Sequence, residues 1–314
     1  MKRHPYPRRT HLPKSRTNRL LGYPNDAHLL IINADDFGRS HASNEATLRA
    51  LTDGVVSSTT LMVPCPWALH AMQLLSEHPD LSFGVHLTVV CDVPHYRCGP
   101  LTSRDKVPSL VDESGFFYMT DRIPQWLTQV RLSELETEFR AQIEAVLAAG
   151  LSPTHLDWHC LSNGGRADIF ELTVKLAKEY GLAVRVFDRS TGEALQQKAL
   201  PTNDHDVLDS YRLAMVEKSA RYAQLLRDLP SGLSEWAVHP ALGTPEMQAI
   251  EPESWQVRQT DFDFLISQEA RSLISQEGIV LLSYKPLQKV WQQRWASTTE
   301  SDTFPPLSST SDHP

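Results

Sequence analysis

The sequence predicts a single (β/α) barrel, complete or distorted, of about seven strand-helix units. Three observations carry this. The chain has 314 residues, 41% of them hydrophobic and 22% charged, enough for one large core. Short β-branched runs alternate with helical patterns from about residue 27 to 292, the signature of parallel strands covered by helices. About seven such units without an internal repeat favour a barrel over an open doubly wound sheet.

The elements follow in order. Leu29 to Asn33 reads as the first strand, and Ser40 caps a helix that runs to about Thr52 before the Asp53-Gly54 break. Val55 to Val63 is strand-like, Trp67 to about Glu77 helical, and Leu81 to Thr88 strand-like again. Leu132, Leu135, Phe139, Ile143, Val146 and Leu147 share one helical face; Ser133 with Glu136 fits a capping box that starts this helix, and Gly150 stops it. Pro153 to Asp157 is a short strand, followed by an amphipathic helix from Ile169 to Tyr180 closed by Gly181. The run Leu182 to Phe187, a helical stretch from about Asp206 to Leu229, the strand Glu235 to Val238, a helix near Asp261 to Ser275 and the strand Ile279 to Leu282 complete the pattern. Cys91 to Pro124 breaks the rhythm, as a substrate-shaping loop commonly does. Residues 1–26, rich in Arg, Pro and His, read as a flexible basic arm, residues 27–292 as the barrel domain, and residues 293–314 as a flexible tail.

Charge narrows the function. Seven of the 30 basic residues precede residue 25 without one acid among them, so the remainder sets 23 against 38 acidic residues. That surface is unsuited to nucleic acid. The longest apolar runs, such as Leu29 to Ile32, fall far short of a membrane span. Four cysteines without a CxxC pair indicate neither a disulfide scaffold nor a zinc knuckle, and the basic N-terminus lacks the apolar segment of a signal peptide. A cytoplasmic protein is expected, and a homodimer is compatible with the sequence.

The informative polar residues sit at strand ends. Asn33-Ala34-Asp35-Asp36 ends the first strand, His86 the third, His155 and Asp157 the strand after Pro153, and His239 the strand from Glu235. In an α/β barrel these ends converge on one mouth. Adjacent carboxylates there face different sides, so one can bind a cation while the other handles a proton; as an isolated pair, Asp35-Asp36 is equally good turn chemistry. Two histidines joining a carboxylate at that mouth make an O,N,N ligand set.

Asn33-Ala34-Asp35-Asp36-Phe37-Gly38 with Ser40 and Asn44, then Gly84-Val85-His86-Leu87-Thr88, then Thr154-His155-Leu156-Asp157-Trp158-His159, resemble the three motifs of the YdjC-like carbohydrate deacetylases, the chitooligosaccharide deacetylase group. The resemblance extends over about residues 28–290, including His239-Pro240. It implies a fold and chemistry similar to the wider polysaccharide deacetylases: Asp36, His86 and His155 as metal ligands, Asp35 as base and His239 as acid. Where that family usually shows Asp-Ser-His-His-His, this chain has Asp157-Trp158-His159-Cys160. Trp158 stacks on a sugar face or packs in the core. Cys160 reads as a buried structural thiol, Asp157 and His159 as groups orienting His155 or a substrate hydroxyl, and Asn44 and Arg166 as further candidates for the substrate side.

The chemistry so implied is metal-dependent removal of an acetyl group from an N-acetylated sugar or oligosaccharide. One divalent ion would lower the pKa of a bound water from about 15.7 toward about 7 and polarise the acyl oxygen. Asp35 would take the proton and His239 would protonate the amine. The mixed ligand set suits Zn²⁺, or Mg²⁺ with added waters. The alternatives are a metal-dependent phosphoesterase, for which the named strand ends lack Lys or Arg, and a non-catalytic carbohydrate-binding protein, in which a ligand or base would be missing.

Overall fold

Along the first strand the side chains alternate between two apolar environments. Leu29 and Ile31 join one core cluster, whereas Leu30, Ile32 and Ala34 join another, as the period of two requires. This strand, β1 (His28–Phe37), is the axis of the sheet in the computed structural model, which describes residues 16–297. The remaining strands are β2 (Ser58–Leu61), β3 (Phe83–Leu87), β4 (Val90–Cys91), β5 (Tyr118–Met119), β6 (His155–Trp158), β7 (Ala183–Val184), β8 (Leu208–Asp209), β9 (Gly232–Val238) and β10 (Val280–Leu281). The order β7-β6-β3-β2-β1-β9-β8 is parallel throughout, and β10 pairs with β1 at Leu29 and Leu30, below the point where β2 takes over the same edge at Asn33. β4, at the entrance to the Cys91 to Pro124 insertion, and β5 inside it form a separate pair.

The sheet curls into a half-barrel surrounded by helices, as the alternation predicts. Its end strands β7 and β8 are not paired; just beyond β7 a hydrogen bond from Val207 N to Phe187 O (2.9 Å) spans the seam.

The helices are α1 (Arg16–Leu21), α2 (His41–Thr52), α3 (Ala68–Glu77), α4 (Ile123–Gln129), α5 (Leu132–Ala148), α6 (Ala167–Tyr180), α7 (Arg189–Gln197), α8 (Lys218–Arg227), α9 (Pro245–Ile250), α10 (Trp255–Leu265), α11 (Gln268–Gln276) and α12 (Tyr284–Ala296). Ser40 caps α2 as expected, its side chain accepting from Ser43 N, and Gly181 ends α6 in the left-handed region at φ 69°. None of the described helices is long and apolar enough to cross a membrane.

Four expectations differ from the structure. The capping box at Ser133 and Glu136 does not form: α5 starts at Leu132 with Arg131 in the cap position, two residues earlier than the box requires, and Glu136 instead binds Arg140 (2.7 Å) and Lys175 (3.0 Å). The helix expected over Asp206 to Leu229 is split. Leu208 and Asp209 pair with Trp236 and Ala237 as an edge strand, and Glu217 at φ 58° delays the helix to Lys218. The helix near Asp261 to Ser275 is two helices. Finally, α1 and the residues after it lie in the expected arm but are docked, with Thr17 buried and donating to Thr202 O, and Asn18 donating to Pro24 O (2.8 Å) and Ala27 O (2.9 Å). Residues 1–15 of that arm and 298–314 of the expected tail lie outside the described residues, while residues 293–296 complete α12.

Candidate functional site

Strand register decides which polar residues meet. β3 and β6 align His86 with Asp157, not with His155. Alternation puts His155 and Asp157 on one face of β6, and His159 follows just past its end. At about 3.3 Å per residue, His159 lies ~13 Å up the chain from His155. His155 therefore belongs to the barrel interior. Its ring stacks on Tyr284 with centroids 3.6 Å apart, its Nδ1 lies 2.9 Å from Thr154 Oγ1, and Gly84 leaves it room, since a Cβ there would come within 2.6 Å of the ring. Burial and the nearby Arg185 guanidinium hold its pKa well below the usual histidine range, so the ring is neutral.

At the mouth, Asp36 Oδ1 lies 3.5 Å from His86 Nε2 and 3.3 Å from His159 Nδ1. These atoms lie within 4.8 Å of one another, and all three residues are buried. Asp36 Oδ1 nevertheless has no hydrogen-bond partner. Its two histidine neighbours face it outside hydrogen-bond geometry, a contact that a cation held between them would complete. Tetrahedral zinc with bonds of about 2.0 to 2.1 Å puts adjacent ligand atoms about 3.3 Å apart, so the group fits a divalent cation. The sequence-expected set of Asp36, His86 and His155 is not brought together; His159 stands in the place given to His155.

Each histidine is backed by a carboxylate that a buried arginine holds. His86 Nδ1 lies 2.7 Å from Asp157 Oδ1, and Asp157 Oδ2 lies 2.6 Å from Arg185. His159 Nε2 lies 3.5 Å from Asp92 Oδ1, which binds Arg39 at 3.0 Å. Such partners fix ring orientation and tautomer. Asp157 thus orients His86 rather than His155. Arg185 also grips both oxygens of Asp35 (2.8 Å each) and Glu235 (2.7 Å), whose other oxygen accepts from Tyr284 Oη (2.6 Å). Arg258 binds Asp36 Oδ2 (2.7 Å) and Glu251, which Arg39 shares at 2.8 Å. Burial pushes the Asp35 and Asp36 carboxyls up, but Arg185 on the first, and Arg258 with His159 and His86 on the second, hold both well below the usual range. Both are ionised. Six carboxyl groups (Asp35, Asp36, Asp92, Asp157, Glu235, Glu251) face three guanidiniums, a balance suited to an added cation.

The turn after β1 sets Asp36 in place. Asp36 adopts φ 67°, rare for a residue with a Cβ, and Gly38 follows at φ 92°, where a Cβ would meet Leu61 at 2.9 Å. Asn44 Oδ1 accepts from Gly38 N (2.7 Å), while its Nδ2 donates to Trp67 O (3.1 Å). Asn44 thus braces the turn that carries Asp36 and is not among the residues that line the cavity.

A cavity of about 350 Å³ opens above the group, lined by Asp35, Asp36, His86, His159 and, across from them, Tyr211, Arg212 and His239. His239 Nδ1 is engaged by Ser210 Oγ (2.9 Å) and its ring meets Tyr211 edge-on at 4.8 Å; Nε2 has no hydrogen-bond partner among the described residues. Trp158 is 1% exposed, its indole N–H donating to Thr173 Oγ1 (3.2 Å) and its ring tilted against Phe170, so packing dominates although the residue also borders the cavity. Arg166 is remote: it pairs with Asp168 (2.6 Å) and donates to Leu127 O (2.5 Å), tying the start of α6 to α4. Cys160, expected as a buried thiol, is exposed on the cavity wall at φ 56°, because the chain turns outward directly after His159.

Residues 29–276 match the family model described as YdjC-like protein. The chain belongs to the YdjC-like family. Among its relatives, a carbohydrate deacetylase of Enterococcus faecalis is 31% identical over 263 residues, covering 82% of this chain and 97% of that protein. One of Geobacillus stearothermophilus is 31% identical over 83% of this chain and 98% of its own length. A crystal structure from Enterococcus faecalis, described provisionally as a cellobiose-phosphate cleavage protein, superimposes with a TM-score of 0.72 at 31% identity, covering 83% of this chain and 99% of that one.

In this YdjC-like chain, sequence reading passed over Arg39, Asp92, Arg185, Glu251 and Arg258. Arg185 alone had a signal, as a charge inside the apolar run Leu182 to Phe187. The other four come from the β1 turn, the insertion and the helical layer, where no strand-end rule applies.

Proposed function

We propose that this YdjC-like protein hydrolyses the acetyl group from an N-acetylated sugar or oligosaccharide, using one divalent ion held by Asp36, His86 and His159. The observation that carries this reading is the unpartnered, buried Asp36 Oδ1 facing two histidine nitrogens at the floor of a cavity. The relatives named carbohydrate deacetylase support the substrate class. When bound, the ion would supply Lewis acidity toward the acyl oxygen and a more acidic water. The mixed O,N,N set favours Zn²⁺ or another transition ion on ligand softness, and Mg²⁺ would need waters to fill out an octahedron.

The chain's own residues divide the proton work. Asp35, ionised and fixed by Arg185, accepts the proton of the attacking water. His239, its Nδ1 held by Ser210, keeps Nε2 for the departing amine on the opposite wall. Arg39 and Arg258 position Asp36 and neutralise part of its surroundings. The four free cysteines suit a reducing compartment, and we place the protein in the cytoplasm.

One observation favours phosphate-ester cleavage as a second reading. The structure brings two cations that strand ends did not supply to the cavity wall, and of these Arg258 is neutralised by Asp36 and Glu251, whereas Arg212 makes no ion pair among the described residues. Metal analysis of the purified protein, coupled to parallel acetate and phosphate release assays over N-acetylglucosamine, its oligomers and their phosphates, separates the two. Acetate release dependent on bound metal is expected. Phosphate release without acetate would overturn the deacetylase reading.

A further inference from the structure

His159 has a carboxylate at each ring nitrogen. Asp36 Oδ1 faces Nδ1 at 3.3 Å and Asp92 Oδ1 faces Nε2 at 3.5 Å. On the Nε2 side a third donor joins, Cys160 Sγ at 3.3 Å. The ligand atoms of Asp92, His159 and Cys160 all lie within 4.8 Å of one another on the wall of the cavity, and Cys160 is exposed to it. With Zn–S near 2.3 Å and Zn–N near 2.0 to 2.1 Å, tetrahedral geometry places S and N about 3.6 Å apart and N and O about 3.3 Å apart. The two edges that meet at His159 Nε2, 3.3 Å to Cys160 Sγ and 3.5 Å to Asp92 Oδ1, match within a few tenths of an ångström, and the third lies within 4.8 Å.

We propose that Asp92, His159 and Cys160 form a second, outer cation site selective for thiophilic ions, and that it excludes the ion at Asp36 and His86. The exclusion follows from the imidazole. A neutral ring offers one lone pair and carries one proton, so only one nitrogen can ligate at a time. With the inner ion on Nδ1, Nε2–H donates to Asp92. With a soft ion on Nε2, the proton sits on Nδ1 and is donated to Asp36, and the inner site loses its third ligand. The bound thiol releases its proton to solvent and the imidazole proton changes nitrogen through solvent; nothing is oxidised. Asp92 Oδ1, the oxygen that faces His159 Nε2, keeps Arg39 at 3.0 Å on its other side and would serve both the guanidinium and the ion. Hard ions such as Mg²⁺ have little affinity for a thiolate, so the outer site discriminates by softness. The binding claim stands on these three residues alone, whereas the exclusion rests on the reading of His159 as an inner ligand.

Cd²⁺ is the probe, with the full-length chain preloaded with Mn²⁺. One equivalent of Cd²⁺ should give a thiolate-to-cadmium absorption band and release Mn²⁺, followed by electron paramagnetic resonance. Cys160→Ser should lose the band and need at least tenfold more Cd²⁺ to release Mn²⁺. A band unchanged in Cys160→Ser, or absent from the parent protein, overturns the outer site. A Cys160-dependent band with Mn²⁺ retained overturns the exclusion and leaves two independent sites. Equal Mn²⁺ release from parent and variant means that Cd²⁺ enters the inner site directly, which also overturns the exclusion. None of these readouts requires acetate release, so failure of the deacetylase reading would be seen separately.

Discussion

His86 and Asp157 stand at the same level of the barrel, their side chains 2.7 Å apart, and Asp157 is held in turn by Arg185. The pair fixes which nitrogen of His86 faces Asp36. Asp157→Asn should therefore weaken metal binding by about 10- to 100-fold, the usual cost of losing such a partner. Titration of the metal-free protein with Zn²⁺ checks this; unchanged affinity would mean that His86 needs no orienting carboxylate.

The same pair predicts a pH dependence. Burial opposes charge on His86, but Asp157 and Asp36 raise its pKa from 6.5 to about 9 in the metal-free protein. Because the folded value is the higher one, the stabilisation is fully present below pH 6.5 and is lost as pH rises through about 9. Metal binding must displace that proton, so affinity should increase from pH 6.5 toward pH 9. Thermal unfolding of the metal-free protein and Zn²⁺ titration across this window should move in opposite directions.

His159→Ala and His155→Ala separate ligand from core. The first should lose bound metal, whatever it costs in stability as a buried ring between Asp36 and Asp92. The second should keep its ligand set but destabilise the fold by about 2 to 4 kcal/mol, because it empties the space between Tyr284 and Gly84. Metal content and denaturant unfolding measured on both variants decide the matter; metal loss in the His155 variant at unchanged stability would return that residue to the ligand set.

Asp35→Asn should retain metal and lower kcat by about 10² to 10⁴, the range for loss of a general base. Asp36→Asn should instead lose metal. The opposite pattern, read from metal content and acetate release, would exchange the two roles.

His239→Ala should slow amide hydrolysis by about 10² or more while affecting an activated acetate ester far less, since a nitrophenolate leaves without a proton. Equal losses on both substrates would show that His239 supports the cavity through Ser210 and Tyr211 instead.

The barrel was legible because the strand runs are short, β-branched and separated by capped helices, and the meeting of Asp35, Asp36, His86 and His239 at one cavity was legible because they end those runs. The choice between His155 and His159 was not. It depends on the level at which β6 pairs with β3, and register is a tertiary property; alternation restricts it only to His155, Asp157 or His159 on one face. The helical pattern after Asp206 misled for a related reason, since pairing of Leu208 and Asp209 with β9 overrode local propensity. Arg39 and Arg258 reach Asp36 from a turn and a helix, and sequence spacing carries no trace of those approaches.

The seam between β7 and β8 gives the barrel a direction of weakness. Elsewhere each wall is a ladder, whereas Phe187 and Val207 meet across an unpaired gap, with Phe187 and Asp209 on the cavity side. Opening there breaks few bonds, so the Val207 amide should exchange its hydrogen for deuterium well before those of β1 and β9. The cavity floor, anchored in paired strands, would then sit beside a wall able to breathe, and on the proposed function sugar chains of different lengths would be accommodated on that side without disturbing Asp36, His86 or His159.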